Sequence, residues 1–462
     1  MKLFRGVSLI RISVYLYLTI FLFLFCYTFY RAEFIHSGNQ FSYYNKYYSI
    51  FIFGTLFWFV VLFLNEKRKL QIVVLSTSLI FILYFYETIS FFAPSILKLN
   101  LIKSVYKEAS IKSQFDTKSK YDVIQELKIN KGIDVVPSVF PKAFIKEKWI
   151  NEEIDVFPLG GVSNTITVFC KEGEEFSIYK SDRYGFNNLD KVWNNKKVFW
   201  FLVGDSFTQG SCVQQNENFA SQIGSLTKQS AISVGMSGNG PLIELASLKE
   251  YGSKKRPRIV LWFYFERNDL EDLKNEKSSS IFMKYLNENF SQNLYSKQIK
   301  IDKKLKTYIL IAEKELDKEK LEKKENLEKF LPLKKIIRLQ IIRDKSALDR
   351  GLDYDIDPLF EKIMLKARNL VNEWGGKLYF VYLPDKERYS SKTVKDDRYL
   401  KRLQVIKLIN NLNIPMIDIH EEFFMKQIDP LAFYAHRIYG HYNPEGYHKI
   451  SELIVKKINN IN

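Results

Sequence analysis

The sequence predicts a three-layer α/β domain built on a parallel sheet, preceded by a three-helix transmembrane anchor. Three observations carry this. From Val198 onward, short apolar runs alternate with helical stretches, the pattern of a parallel sheet covered on both faces. Before Phe92 the chain holds three long stretches without charge. The length of 462 residues leaves room for an anchor, a connector and a sizeable domain.

The anchor comes first. Ile12 to Tyr30 is uncharged between Arg11 and Arg31, Tyr48 to Leu64 is uncharged, and Leu70 to Phe92 carries only Glu87. Each approaches the ~20 residues that cross a hydrocarbon layer of ~30 Å. The first is too long for a signal peptide, lacks a small-x-small cleavage site and is followed by two more spans. Expected spans are therefore 12–30, 48–64 and 70–92, within an anchor of residues 1–94. Lys2, Arg5 and Arg11 precede the first span, and Lys67, Arg68 and Lys69 fill the loop between the second and third. The positive-inside rule puts the N-terminus in the cytoplasm and, with three spans, everything after about Ser95 outside the cell membrane, in the periplasm or exterior of a bacterium. Glu87 reads as an interfacial residue.

Residues 95–155 read as a connector with helical pieces such as Tyr121 to Lys128. Thr165 to Cys170 and Glu175 to Tyr179 read as two strands around a Lys171-Glu172-Gly173 turn. The α/β domain, residues 156–462, then follows. Val198 to Val203 is a continuous apolar run, as in a parallel strand buried on both faces. Helix Phe219 to Lys228, strand Ser230 to Val234, helix Pro241 to Tyr251 and strand Arg258 to Phe265 come next. After an insertion at about 275–350, helix Phe360 to Trp374, strand Lys377 to Leu383, helix Tyr399 to Leu412, strand Ile414 to Ile419 and helix Ile450 to Ile458 complete it. Within the insertion, Leu316 to Phe330 is dominated by Lys, Glu and Leu, a solvated helix supported by opposite charges one turn apart.

The net charge of +17 is spread through Lys/Glu-rich helical sequence. It is not gathered with aromatic residues in a recognised module, which argues against nucleic acid as a partner. The bilayer is the expected partner, and attraction to anionic lipid or an acidic polysaccharide is open. Of the three cysteines, Cys26 lies in the first span. Cys170 and Cys212 fall in the exported part, where an oxidising compartment permits them to pair and brace the loop after Ser206. No Cys/His spacing fits a zinc site, so neither metal nor cofactor is expected.

Ser206 stands in Gly204-Asp205-Ser206, directly after the apolar run ending at Val203. A serine where a buried strand turns into a helix lies where open α/β sheets bind ligands. A plainer role is the N-cap of the following helix. Acyl transfer needs a nucleophile, a base and donors for the developing oxyanion. Ser206 is the candidate nucleophile and its own N–H the first oxyanion donor. Gly238, in a glycine-rich loop after a short strand, and Asn268, at the end of a buried strand, are the other two. His441, in the turn-rich Gly440-His441-Tyr442-Asn443-Pro444, is the candidate base, with His436 the serious rival among His36, His420, His436 and His448.

The order Gly204-Asp205-Ser206, Gly238, Asn268-Asp269, His441 resembles the four blocks of the SGNH (GDSL) hydrolase superfamily. Arg183-Tyr184-Gly185-Phe186 and Leu378 to Leu383 followed by Pro384 resemble its membrane-anchored bacterial members. The resemblance spans about residues 155–460. It implies an SGNH-hydrolase-like fold and a serine esterase or O-acyltransferase. Ser206 then attacks the acyl carbon, Ser206 N–H, Gly238 N–H and Asn268 hold the oxyanion, and His441 moves the proton. An ester or acylated carbohydrate is the implied substrate, and a transferase would need a membrane acyl-donor partner. One departure stands out: the family's aspartate two or three residues before the histidine is replaced by Tyr439 and Ile438. Asp429 is the candidate acid from further back. A fold that kept its shape and lost turnover, serving polysaccharide binding or assembly, is the alternative.

Overall fold

A computed structural model describes residues 2–35, 41–112, 118–146, 156–323, 336–339, 342–343, 356–390 and 397–459. The chain divides into two compact units, Met1–Gln114 with Lys318–Asp355, and Phe115–Asp317 with Ile356–Asn462.

The first unit contains helices Lys2–Phe29, Phe41–Val61 and Glu66–Lys112. Val14, Trp58 and Val61 are buried between them, Tyr17 stacks on Trp58 with ring centroids 4.3 Å apart, and Arg11 pairs with Glu66 at 3.0 Å. Other apolar side chains, Phe23, Phe53 and Phe81 among them, face outward. Among the described residues, two segments, Leu9–Phe34 and Glu66–Phe92, are long and apolar enough to cross a membrane. The expected middle span, 48–64, is offset from its helix, Phe41–Val61, which ends three residues before the apolar run does. Leu62 to Leu64 belong to a turn, and the helix opens on Tyr44, Asn45 and Lys46. Glu87 is enclosed and accepts a hydrogen bond from the Ile342 N–H at 3.0 Å. The expected helix at 316–330 is present as the end of Gln298–Lys323, and its remainder lies outside the described residues.

The second unit is a mixed α/β fold around a parallel sheet. Its strands are β1 (Val135–Pro137), β2 (Ile166–Val168), β3 (Ile178–Lys180), β4 (Trp200–Val203), β5 (Ala231–Ser233), β6 (Ile259–Phe265), β7 (Lys377–Leu383) and β8 (Met416–Asp418). The main sheet has the order β5-β4-β6-β7-β8, with every pair parallel. Successive residues of a strand point to opposite faces, so an apolar run fills two cores. Phe201, Val203, Val260, Trp262, Phe380 and Tyr382 enter one core. Trp200, Leu202, Leu261, Phe263, Tyr379 and Val381 enter the other. Helices Pro241–Ser247 and Pro358–Glu373 cover the first face, and Phe219–Thr227 and Pro444–Asn459 the second. Burying each large apolar side chain stabilises the fold by roughly 1.5–3 kcal/mol.

A small sheet, β1-β2-β3, stands beside the main one. β2 and β3 pair antiparallel over three residue pairs, and β1, from the stretch read as a connector, adds parallel to β2. β3 begins at Ile178, later than the expected Glu175. The acidic residues Glu172, Glu174 and Glu175 lie in the connecting loop, where solvation competes with strand pairing.

Candidate active site

In the strand order above, β5 and β6 flank β4 on opposite sides. The chain therefore reverses direction across the sheet at β4, and the crevice at that switch point lies beyond the strands' carboxyl ends. Ser206 follows β4, Gly238 follows β5, and Asn268 follows β6.

The turn after β4 is tight. A side chain at Gly204 would meet Thr208 Oγ1 at 2.2 Å and Phe263 Cβ at 3.0 Å. Asp205 is the N-cap of helix Ser206–Gln209, its side chain accepting the Phe207 N–H at 3.0 Å. Capping thus falls to Asp205, and Ser206 keeps its hydroxyl for other contacts. Burial pushes the Asp205 carboxyl above the usual carboxylate range. The Ser206 N–H, first of its helix, has no intrahelical acceptor.

Ser206 Oγ lies 2.9 Å from His441 Nε2. His441 sits on a loop fixed by a bridge between Tyr434 and Tyr442, and its ring lies 4.9 Å from that of Phe207. Its Nδ1 lies 2.8 Å from Glu172 Oε1, and its backbone N–H donates to Glu172 Oε2 at 3.1 Å. A carboxylate at Nδ1 fixes the imidazole proton there. The lone pair of Nε2 then faces the serine hydroxyl.

Asp429, the expected acid, is placed elsewhere. Its two oxygens accept from Arg437 at 2.6 and 2.8 Å, in an exposed ion pair. Glu172 stands behind the imidazole instead, 269 positions earlier in the chain. It comes from the loop between β2 and β3. Cys170, two residues before it, forms a disulfide with Cys212, six residues after Ser206. The bridge brings the loop that carries Glu172 beside the segment that follows Ser206, and Glu172 meets His441 there.

Gly238 adopts φ 76°, the left-handed region that favours glycine, and the stem of Lys142 packs on its open face. Asn268 donates through Nδ2 to Asp272 Oδ2 at 2.8 Å, which leaves the second amide hydrogen available. Lys142 pairs with Asp272. Glu276 secures the loop after Gly238, accepting from the N–H groups of Gly240 at 2.5 Å and Leu242 at 2.9 Å. Burial pushes its carboxyl up to about 8.

The other histidines have different surroundings. His420 is buried against Tyr389 at 2.7 Å, and burial with the Arg388 and Arg402 charges lowers it to about 4. His448 meets Gln222 at 2.7 Å and Glu452 at 3.2 Å. His436 packs against Tyr439. His36 lies outside the described residues. Glu172, Cys212 and His441 group closely enough to consider a metal, but the Cys212 sulfur is committed to Cys170 and offers no thiolate.

The arrangement provides a hydroxyl, a base that can take its proton, and a carboxylate that orients the base and offsets the charge of the imidazolium. No protein-family model matches the chain, and no curated protein matches it. A solved structure of a protein from Desulfitobacterium hafniense DCB-2, assigned to the lipolytic G-D-S-L family, is similar over 56% of this chain and 97% of its own length. The identity is 12% and the TM-score 0.30.

Proposed function

We propose that the protein is a membrane-tethered serine acyl-transfer enzyme, an ester hydrolase or O-acetyltransferase acting outside the cytoplasm on a carbohydrate or other ester. The hydrogen-bonded series Ser206–His441–Glu172 carries this reading. His441 takes the Ser206 proton as Oγ attacks the acyl carbon. The tetrahedral oxyanion is held by the Ser206 and Gly238 N–H groups and by Asn268. His441 then protonates the leaving alkoxide, and water or a sugar hydroxyl attacks the acyl-enzyme by the reverse path.

The membrane placement is supported by the two long apolar helical segments and by the basic residues that flank them. A disulfide between Cys170 and Cys212 suits an oxidising compartment. Glu172, at His441 Nδ1, supports the catalytic reading over an inactive binding or assembly protein, since it stands where the absent aspartate before His441 would act.

The test is covalent labelling of the full-length, detergent-extracted protein with a fluorophosphonate. Labelling that disappears in Ser206→Ala is expected. A well-folded wild-type protein that resists the probe overturns the reading. Short-chain acetyl esters are expected to turn over faster than long-chain lipid esters.

A further inference from the structure

We infer that the Cys170–Cys212 disulfide positions Glu172, so that the acid of the serine centre is in place only in the oxidised protein. The inference rests on the acyl-transfer reading above and concerns regulation of that same centre.

Glu172 belongs to no strand of the main sheet. It sits on the loop 169–177, closed by the three-pair ladder between β2 and β3 and by two further backbone bonds, Phe169 N–H to the Ser177 carbonyl at 2.9 Å and Ser177 N–H to the Cys170 carbonyl at 2.8 Å; neither reaches Lys171 to Phe176. The loop has no regular structure through Lys171-Glu172-Gly173-Glu174-Glu175, and Glu174 and Glu175 are exposed. Nothing in this composition favours one fixed backbone: Gly173 is permissive, and the three carboxylates repel one another.

The loop is tied down where it meets the nucleophile segment. Cys170 is bonded to Cys212. Ser177 Oγ donates to the Val213 carbonyl at 2.5 Å, and Gln214 Nε2 donates to the Phe176 carbonyl at 3.3 Å. All three ties reach residues 212–214, just after the Ser206–Gln209 helix. The hydrogen-bonded ties lie beyond Gly173 from Glu172. The covalent tie lies two residues away on the other side. Cys212 has φ 61°, a backbone region that side-chain-bearing residues rarely adopt, so its sulfur is presented by an unusual local conformation.

Reduction adds two electrons and two protons to the bridge and yields two thiols, while a dithiol reductant becomes its own cyclic disulfide. Cys170 is then released from Cys212. The Glu172 carboxylate leaves Nδ1, and His441 loses the group that sets its tautomer. Cys170 and Cys212 are positioning residues, because neither touches the reacting atoms.

The experiment uses full-length protein in detergent. It measures fluorophosphonate labelling rate and p-nitrophenyl acetate hydrolysis against pH, before and after treatment with a dithiol. The same is done for Cys170→Ser/Cys212→Ser, for Glu172→Gln and for their combination, with thermal melts to verify folding. Reduction or loss of both cysteines is expected to lower the Ser206-dependent rate at least about tenfold and to give the pH profile of Glu172→Gln. In the Glu172→Gln background the cysteine substitutions are expected to cost nothing more. A reduced protein that keeps its rate and pH profile overturns the inference and leaves the serine reading standing. So does a cysteine effect that persists undiminished beside Glu172→Gln, which marks a general brace. Oxidised protein without Ser206-dependent labelling overturns both.

Discussion

Glu172 grips His441 at two points: Oε1 lies 2.8 Å from the ring Nδ1, and Oε2 accepts the backbone N–H of the same residue at 3.1 Å. One carboxylate thus fixes both the ring and the loop that carries it. Geometry of this kind selects a tautomer, and it does so from a segment remote in sequence.

Glu172→Gln keeps the shape and removes the charge that offsets the imidazolium. The loss of a triad aspartate in a serine protease costs about 10⁴ in rate. A fall of about 10²–10⁴ in kcat, with KM nearly unchanged, is therefore expected for ester hydrolysis. Asp429→Asn breaks only the exposed pair with Arg437 and is expected to change kcat less than about twofold. Equal losses for the two variants would contradict the assignment.

The oxyanion donors make a second prediction. Asn268 gives one amide hydrogen to Asp272, and in the proposed reaction the second serves the oxyanion. Removing such a donor costs about 2.7–4 kcal/mol in the barrier, or 10²–10³ in kcat. Asn268→Ala should show this loss in steady-state kinetics, with the Ser206–His441 contact intact. Lys142 acts one step back, through Asp272. Lys142→Met should lower kcat about tenfold in the wild-type background and far less beside Asn268→Ala, because coupled residues are not additive.

The architecture was legible in the sequence because buried parallel strands are continuous apolar runs. Val198 to Val203 and Arg258 to Phe265 announce β4 and β6 through side chains that fill two cores. Ser206 and His441 were legible because strand-end and loop positions carry few alternatives in a chain with five histidines. Glu172 was not, since a carboxylate in a Lys-Glu-Gly turn has the composition of any solvated loop. Its role is set by a disulfide and by the packing of a second sheet, and neither is periodic. Asp429 is near His441 in sequence only, because Arg437, eight residues on, holds it. β1 was hidden because its apolar run, Val135-Val136, is bounded by Asp134 on one side and Pro137 on the other.

Glu276 ties the loop after Gly238 to acid–base behaviour. Burial raises its carboxyl to about 8, above the unfolded value of 4.5. The folded protein therefore holds a proton that the unfolded chain has released, and this contribution to stability is present below about pH 4.5. It is lost as pH rises through about 8, on the order of 3 kcal/mol between pH 5 and 8. Glu276→Gln should flatten the fall in Tm over that range. His420, lowered to about 4, has the opposite sign and loses its contribution as pH drops below about 6.5. It is common to both proteins, so the difference between their Tm curves reports Glu276. Parallel curves would show that Glu276 does not titrate in this way.

In the proposed membrane placement, the side on which the serine centre would work follows from the number of crossings. With the N-terminus inside, three spans export the centre and two retain it. The helix Phe41–Val61 is the ambiguous one, because its first turns carry Tyr44, Asn45 and Lys46. The disulfide bears on the choice, since a reducing cytoplasm does not maintain a bridge between Cys170 and Cys212. Ile428 is fully exposed on the domain and is placed in no catalytic contact. Ile428→Cys, introduced with Cys26, Cys170 and Cys212 replaced by Ser, should react with a membrane-impermeant maleimide on intact spheroplasts. Reaction only after lysis would put the domain in the cytoplasm and reduce the anchor to two crossings. The bridge would then have to form where thiols are kept reduced, and the export reading would fall with it.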